Sequence, residues 1–205
     1  MATLLHVAVS PRAGASHSRQ AADELIQGVK ARTSELSVVL RDLAETVVPH
    51  VSAAFVSASL TAASQRDKDH HQALALSEAL IDELDAADAI LLSTPLHNFA
   101  VPSVLKSWID HVVRPDRTFR STGSGKVGLL RDRPICVLLA CGGALGRGSS
   151  PQTDWATPYL RHVFETIGLR NFQAFALENC NRSSQAQMES RTRFGEWLTA
   201  KSWPW

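Results

Sequence analysis

The chain has 205 residues, 44% hydrophobic and 20% charged, enough for one well-buried core and too few to make two large domains. Lys and Arg total 21 against 20 for Asp and Glu, so the formal charge of +1 supplies no pull toward nucleic acid or an anionic membrane, and neither is expected as a partner. Three cysteines, Cys136, Cys141 and Cys180, cannot all pair within the chain, which fits a reducing, cytoplasmic setting.

Leu4 to Val9 is an apolar run without a basic leader, and it is too short to span a bilayer, which needs about 20 residues, so it reads as a strand. Ala21, Leu25 and Val29, with Ala22 and Ile26 beside them, form one stripe of a helix opening near Ser16 or Ser18. Leu36 to Leu40 is a second strand. His50 to Gln72 is polar and weakly periodic and reads as irregular. Leu74, Leu76, Leu80, Ile81 and Leu84 form a second helical stripe, followed by a strand from Ala89 to Thr94. A helix carrying Val104, Leu105, Trp108, Ile109 and Val112 begins after Pro102 and Ser103. Ile135 to Ala140 is the fourth strand, Trp155 to Ile167 the clearest helix, and Phe172 to Leu177 the fifth strand. Met188, Phe194, Trp197 and Leu198 make a weaker closing stripe.

Apolar strands alternating with amphipathic helices predict βαβ units, a parallel sheet and right-handed crossovers. The expected fold is a three-layer α/β/α domain over residues 1–205, with five parallel strands in the flavodoxin-like order 2-1-3-4-5. In such sheets ligands bind outside the carboxyl ends of the strands, at the point where strand order reverses.

Three strand-end loops would meet there. Ser10 to Gln20 is small and hydroxylated and runs into a helix start, where unpaired N–H groups and the helix dipole favour an anion such as a phosphate; a plain N-cap at Ser16 or Ser18 explains the same residues. In Thr94-Pro95-Leu96-His97-Asn98-Phe99, Pro95 ends the strand, Asn98 offers a donor and an acceptor, and Phe99 offers an aromatic face to a planar ligand. Asn98 in a turn and Phe99 in the core is the plainer alternative. Gly142-Gly143 lets backbone approach a flat ring, although glycines also simply make turns.

Other patterns carry less chemistry. Gly123 to Gly128 satisfies G-x-G-x-x-G but no helix follows it, and Lys126 is followed by Val127, so it is neither a dinucleotide fingerprint nor a P-loop and reads as a flexible loop. His70-His71 has no third ligand at zinc spacing, and no metal site is expected. No G-x-S-x-G elbow is present.

A phosphate on the first helix and a ring between the other two loops describes FMN. The chain resembles, over nearly its full length, the FMN-dependent NADH-azoreductases, a branch of the flavodoxin-like NAD(P)H:quinone oxidoreductases. The matching pieces are Ser10 with Ser16-His17-Ser18, Arg41-Asp42-Leu43-Ala44, Ala73-Leu74-Ala75-Leu76-Ser77, Pro95 with Asn98-Phe99, Thr118-Phe119-Arg120, Gly142-Gly143 and Thr157-Pro158-Tyr159-Leu160. The resemblance implies noncovalent FMN, with Ser10, Ser16, His17 and Ser18 on its phosphate and ribityl chain. Pro95, Leu96, His97, Asn98 and Phe99 would border the isoalloxazine on one side, with Ala140, Cys141, Gly142 and Gly143 on the other rim. Members often carry tyrosine where this chain has His97, and some carry Ser-Arg where it has Ala140-Cys141.

The activity so implied is two-electron transfer from NADH through FMN to a quinone or azo compound, with Asn98 and Phe119 near the substrate. The flavin does the redox chemistry and no side chain is required as acid or base, though His97 stands where it can offer a proton. Members are homodimers with active sites at the subunit interface, for which Trp108, Phe119 and Trp155 are candidate aromatics. Cys141 reads as ring packing rather than a reactive thiol. A flavodoxin-type electron carrier is the alternative, against which the balanced charge argues.

Overall fold

The computed structural model describes residues 2–33, 35–146 and 152–201. Five strands, β1 (Ala2–Ala8), β2 (Leu36–Asp42), β3 (Ala89–Pro95), β6 (Ile135–Ala140) and β7 (Phe172–Leu177), form one parallel sheet in the order β2-β1-β3-β6-β7. The helices are α1 (His17–Lys30), α2 (Ala53–Leu60), α3 (Lys68–Ala86), α4 (Ser103–Val112), α5 (Ala156–Ile167) and α6 (Ser184–Ala200). The numbering departs from the expected 2-1-3-4-5 because a small antiparallel hairpin, β4 (Phe119–Thr122) and β5 (Gly125–Gly128), comes between β3 and β6 in the chain.

Side-chain alternation along the strands builds two cores. Leu5, Val7, Val9, Val137 and Leu139 face α3, α4 and α5, burying Leu80, Leu84, Leu105, Trp108 and Phe164. Leu4, Leu91, Cys136 and Leu138 face the other way, onto Ala21, Ala22, Leu25 and Val29 of α1 and Phe194 of α6. The central strands β1, β3 and β6 are covered on both faces, which is why their sequences are continuous apolar runs rather than alternating ones.

Three expectations are corrected. The stretch 50–72 holds α2, capped by Ser52, whose side chain accepts the Phe55 N–H at 3.1 Å. Only Phe55 and Ala58 are buried on it, against Leu74, while Val56 and Leu60 remain exposed, so its apolar residues trace no single stripe. The glycine pattern at 123–128 is not a flexible loop: Thr122 pairs with Gly125 across the turn Gly123-Ser124, and Gly125 takes φ +124°. Trp108 is likewise no surface aromatic, being buried with its ring 6.5 Å from that of Phe164. His70 stands in the first turn of α3, reciprocally bonded with Asp67 in a capping box, as a solvated helix start requires.

Candidate functional site

The three loops leave the carboxyl ends of adjacent strands. Parallel pairing sets Ala8 beside Ser93 and Pro95 beside Ala140, so the segments after β1, β3 and β6 emerge in a row. The Leu96 N–H bonded to the Ala140 carbonyl (2.8 Å) carries that pairing into the loops.

Ser10, Ser16 and Ser18 are all buried at the amino end of α1. Ser16 is the N-cap, accepting the Arg19 N–H at 3.3 Å, and its hydroxyl lies 3.1 Å from that of Ser18. The N–H groups of His17 and Ser18 open the first turn and have no acceptor within the helix. Capping and anion binding are therefore compatible: one hydroxyl caps while the N–H groups and the positive helix end remain available. His17 lies close enough to Arg12 and Arg191 for their charges, after burial, to lower its pKa. This donor set suits a phosphate group.

The loop is anchored from behind by residues to which sequence reasoning assigned no role. Arg19 donates from Nε to the Ser10 carbonyl at 2.9 Å and holds Asp42 with both terminal nitrogens at 2.6 and 2.7 Å. Asp42 also accepts the Ala44 N–H, and its carboxyl is held below the ordinary range, chiefly by Arg19. No spacing rule pairs residues 19 and 42; they meet because β1 and β2 are neighbours.

Beneath the same end of the sheet, His6 is buried with Nε2 at 2.8 Å from the Ser93 hydroxyl. Burial first, then the Arg19 charge, lower its pKa from 6.5 to about 4, with Asp42 opposing. A base with a depressed folded pKa contributes fully above pH 6.5 and loses that contribution as pH falls toward 4, since the unfolded chain takes up the proton first. Lowering pH from 7 to 5 is expected to cost this site about 2 kcal/mol. Urea midpoints at the two pH values should show the loss, and the His6→Asn variant should show a flatter dependence; equal slopes in the two proteins would refute the assignment.

In the second loop, His97 and Ala100 exchange backbone hydrogen bonds at 3.0 and 3.1 Å around Asn98 (φ +49°) and Phe99 (φ +71°). Two consecutive positive φ values define a type I′ turn. Phenylalanine in the left-handed region costs roughly 1–3 kcal/mol, yet here it is held with its ring 59% exposed instead of entering the core. The turn half of the plainer alternative is observed and the core half is not. His97 is exposed, and Pro95 and Leu96 are partly buried.

The third loop is zipped to the segment after β7. Asn179 N–H reaches the Gly143 carbonyl (3.1 Å) and Asn181 N–H that of Gly142 (3.3 Å). A Cβ on Gly142 would stand 2.9 Å from the Asn181 amide, and one on Gly143 3.3 Å from that of Gln152, so neither position has room for a side chain unless these amides shift. Ala140 and Cys141 are buried; the Cys141 thiol points at the carbonyls of Gly143 and Leu177, leaving only backbone for a ring contact. Burial pushes that thiol up to about 12.

Phe119 is not brought to this cleft. It lies buried at the start of the hairpin under Lys126, 4.8 Å from the ring centre. The hairpin docks on the carboxyl end of α5, through Leu130 N–H to the Ile167 carbonyl at 3.0 Å, and hence near the amino end of β7, at the opposite end of the strands from the loops. A wall not foreseen from sequence stands beside the Phe99 turn: a cavity of about 400 Å³ lined by Ala100, Val101, Lys106, Trp155, Ala156 and Tyr159, with Trp155 63% exposed. Among the described residues no cluster of His, Cys, Asp or Glu could hold a metal ion, and no helix is long and apolar enough to cross a membrane.

A five-stranded parallel sheet with an anion-ready helix start at its switch point defines the flavodoxin-like class, and a family model described as "Flavodoxin-like fold" matches residues 2–199. The chain is 49% identical over 197 residues, 96% of each protein, to FMN-dependent NADH:quinone oxidoreductase 2 of Cupriavidus pinatubonensis. It is 43% identical to FMN-dependent NADH:quinone oxidoreductase 4 of Pseudomonas fluorescens over 84% of this chain and 82% of that one. Among solved structures, an azoreductase from Bacillus anthracis superposes with a TM-score of 0.87 at 25% identity, covering 98% of both chains. The protein belongs to the flavodoxin-like family and, within it, to the FMN-dependent NADH:quinone oxidoreductases.

Proposed function

We propose that this protein is an FMN-dependent oxidoreductase passing two electrons from NADH to quinones or azo compounds, with noncovalent FMN seated across the loops after β1, β3 and β6. The observation that carries the reading is the convergence of those loops: hydroxyls and helix N–H groups at one end, and a solvent-facing aromatic on a strained turn at the other. Relatives named for this activity across nearly the whole chain support it over a flavodoxin-type carrier.

In this reading Ser10, Ser16, His17 and Ser18 hold the phosphate and ribityl chain, and Arg19 with Asp42 keeps Ser10 in place. Pro95, Leu96, His97, Asn98 and Phe99 border one side of the ring. The backbone of Ala140 to Gly143 forms the other rim, where a Cβ at Gly142 or Gly143 would press on the Asn181 and Gln152 side chains. FMN, when bound, supplies the hydride-accepting and electron-donating ring. Asn98 presents a donor and an acceptor to the substrate, and the apolar cavity beside Phe99 favours flat aromatic acceptors.

The reading is of a single cytoplasmic domain acting as a homodimer. Exposed Trp155 offers surface for a second copy, whereas Phe119 is buried in its own hairpin and Trp108 in its own core, so neither supplies that surface.

The test is direct: protein purified with FMN should be yellow and should oxidise NADH when menadione is added. Protein that cannot be loaded with FMN, or that is loaded and silent with both quinones and azo dyes, would overturn the proposal. His97→Phe is expected to leave the pH profile of quinone reduction unchanged and turnover within about threefold, because the hydride step needs no side-chain proton. Loss of a pH-dependent limb in kcat would instead assign His97 as a proton donor.

A further inference from the structure

Beyond the ends of β6 and β7 the two chain segments continue side by side. The Cys141 N–H donates to the Leu177 carbonyl, and the Cys180 N–H donates to the Cys141 carbonyl, each at 2.9 Å. Both thiols also end on one atom: Sγ of Cys141 lies 3.4 Å and Sγ of Cys180 3.3 Å from the Leu177 oxygen. Two sulfurs sharing an acceptor can be no further apart than the sum of those distances. Residues on adjacent segments joined by a backbone hydrogen bond fall in the Cα spacing of disulfides, roughly 4.4–6.8 Å. Closure requires the two short side chains to rotate toward each other, giving up weak S–H···O contacts, two for Cys141 and one for Cys180.

We propose that Cys141 and Cys180 are a redox modification site for hydrogen peroxide, closing to a reversible disulfide that bolts the Gly142-Gly143 rim to the segment after β7.

Access assigns the roles. Cys141 is 2% exposed. Cys180 is half-buried and lines a cavity of about 210 Å³ together with His17, Gln20, Glu178, Gln187 and Arg191. That space admits a water-sized oxidant. Burial raises the Cys180 thiol above its ordinary value, and the charges of Arg191 and Arg12 offset that only in part.

Cys180 sulfur attacks one peroxide oxygen and the O–O bond breaks. The second oxygen leaves as hydroxide, takes up the thiol proton and becomes water, and Cys180 is left as a sulfenic acid. Cys141 sulfur then attacks Cys180 sulfur, the S–O bond breaks, and hydroxide leaves with the Cys141 proton as a second water. Two thiols have lost two electrons and two protons, and one peroxide has become two waters. Cys136, buried near the start of β6, makes no such contact and serves as an internal control.

The experiment exposes the native protein, with and without FMN, to excess hydrogen peroxide and then alkylates it with a maleimide in denaturant. Alkylatable thiols are expected to fall from three per chain to one, retained on Cys136, with a Cys141–Cys180 cross-linked peptide pair two hydrogens lighter than its parts and full reversal by dithiothreitol. Cys141→Ser should leave Cys180 trappable by dimedone as a sulfenic acid, and Cys180→Ser should keep both remaining thiols free. Three thiols surviving in the wild type, oxidation of Cys180 to the sulfinic acid without the cross-link, or a cross-link only between two copies would each overturn the proposal. Because the readout is peptide mass, the result stands apart from whether the cleft binds flavin.

Discussion

Replacing Ser16 with aspartate is expected to weaken FMN binding at least a hundredfold while leaving the fold intact. Aspartate caps a helix as well as serine does, so the Arg19 N–H bonded to residue 16 keeps an acceptor and stability should move by only a few tenths of a kcal/mol. The new carboxylate would stand at the amino end of α1, within reach of Ser18, where a phosphate is proposed to sit. Two unit charges about 4 Å apart at a partly buried site repel by roughly 4 kcal/mol, and even half of that exceeds the contribution of a neutral hydroxyl. A hundredfold loss corresponds to about 2.7 kcal/mol. Fluorescence titration with FMN should show it, and titration with riboflavin, which lacks the phosphate, should not. Equal affinity of the variant and the wild type for FMN would remove the phosphate from this helix end.

Gly128→Ala should produce the largest loss of stability of any small substitution in the hairpin. A Cβ there would lie 2.2 Å from the Gly168 nitrogen, 2.4 Å from its Cα and 2.5 Å from the Ile167 carbonyl carbon. These are backbone atoms with no rotamer to change. Gly168 is itself fixed as the left-handed cap of α5, at φ +107°, with Leu130 O 2.5 Å from where its own Cβ would be. Relief therefore requires the hairpin to lift from the α5–β7 corner, and the expected cost is about 3 kcal/mol or more, near 10 °C in Tm for a chain of this size. Thermal unfolding by circular dichroism measures it; a change below 1 kcal/mol would mean that the hairpin does not sit against that corner.

The two variants separate what a reader of the sequence can find from what the fold adds. All five sheet strands lie within two residues of their expected places at either end, because β1, β3 and β6 are buried on both faces and announce themselves as apolar runs. Helices α1, α4 and α5 were legible from stripes such as Ala21, Leu25 and Val29, each facing one core. Helix α2 was not, since Phe55 and Ala58 are its only anchors and Val56 and Leu60 dilute them. The hairpin escaped for a different reason: its four-residue strands bury little, and Gly123-Ser124 between Thr122 and Gly125 was the one local signal of a two-residue turn.

At the site, Ser16 was legible as a cap and Gly142-Gly143 as a close approach, both being local chemistry. The outward ring of Phe99 was not settled by sequence, because whether it enters the core depends on a turn conformation that neighbouring strands enforce.

Sequence by itself determined the alternation of strand and helix, the α/β class, the three loops that share one edge and, through the spread of matching residues, the flavin chemistry expected there. Tertiary structure alone decided that Arg19 grips Asp42 behind Ser10, that Phe119 lies toward the opposite end of the strands from its own cleft, and that Cys141 and Cys180 share the Leu177 carbonyl. The division is physical: burial pattern and turn chemistry are carried by residues a few positions apart, whereas those meetings join residues 23 to 39 positions apart, or opposite ends of one sheet, and are fixed only when parallel pairing sets the register.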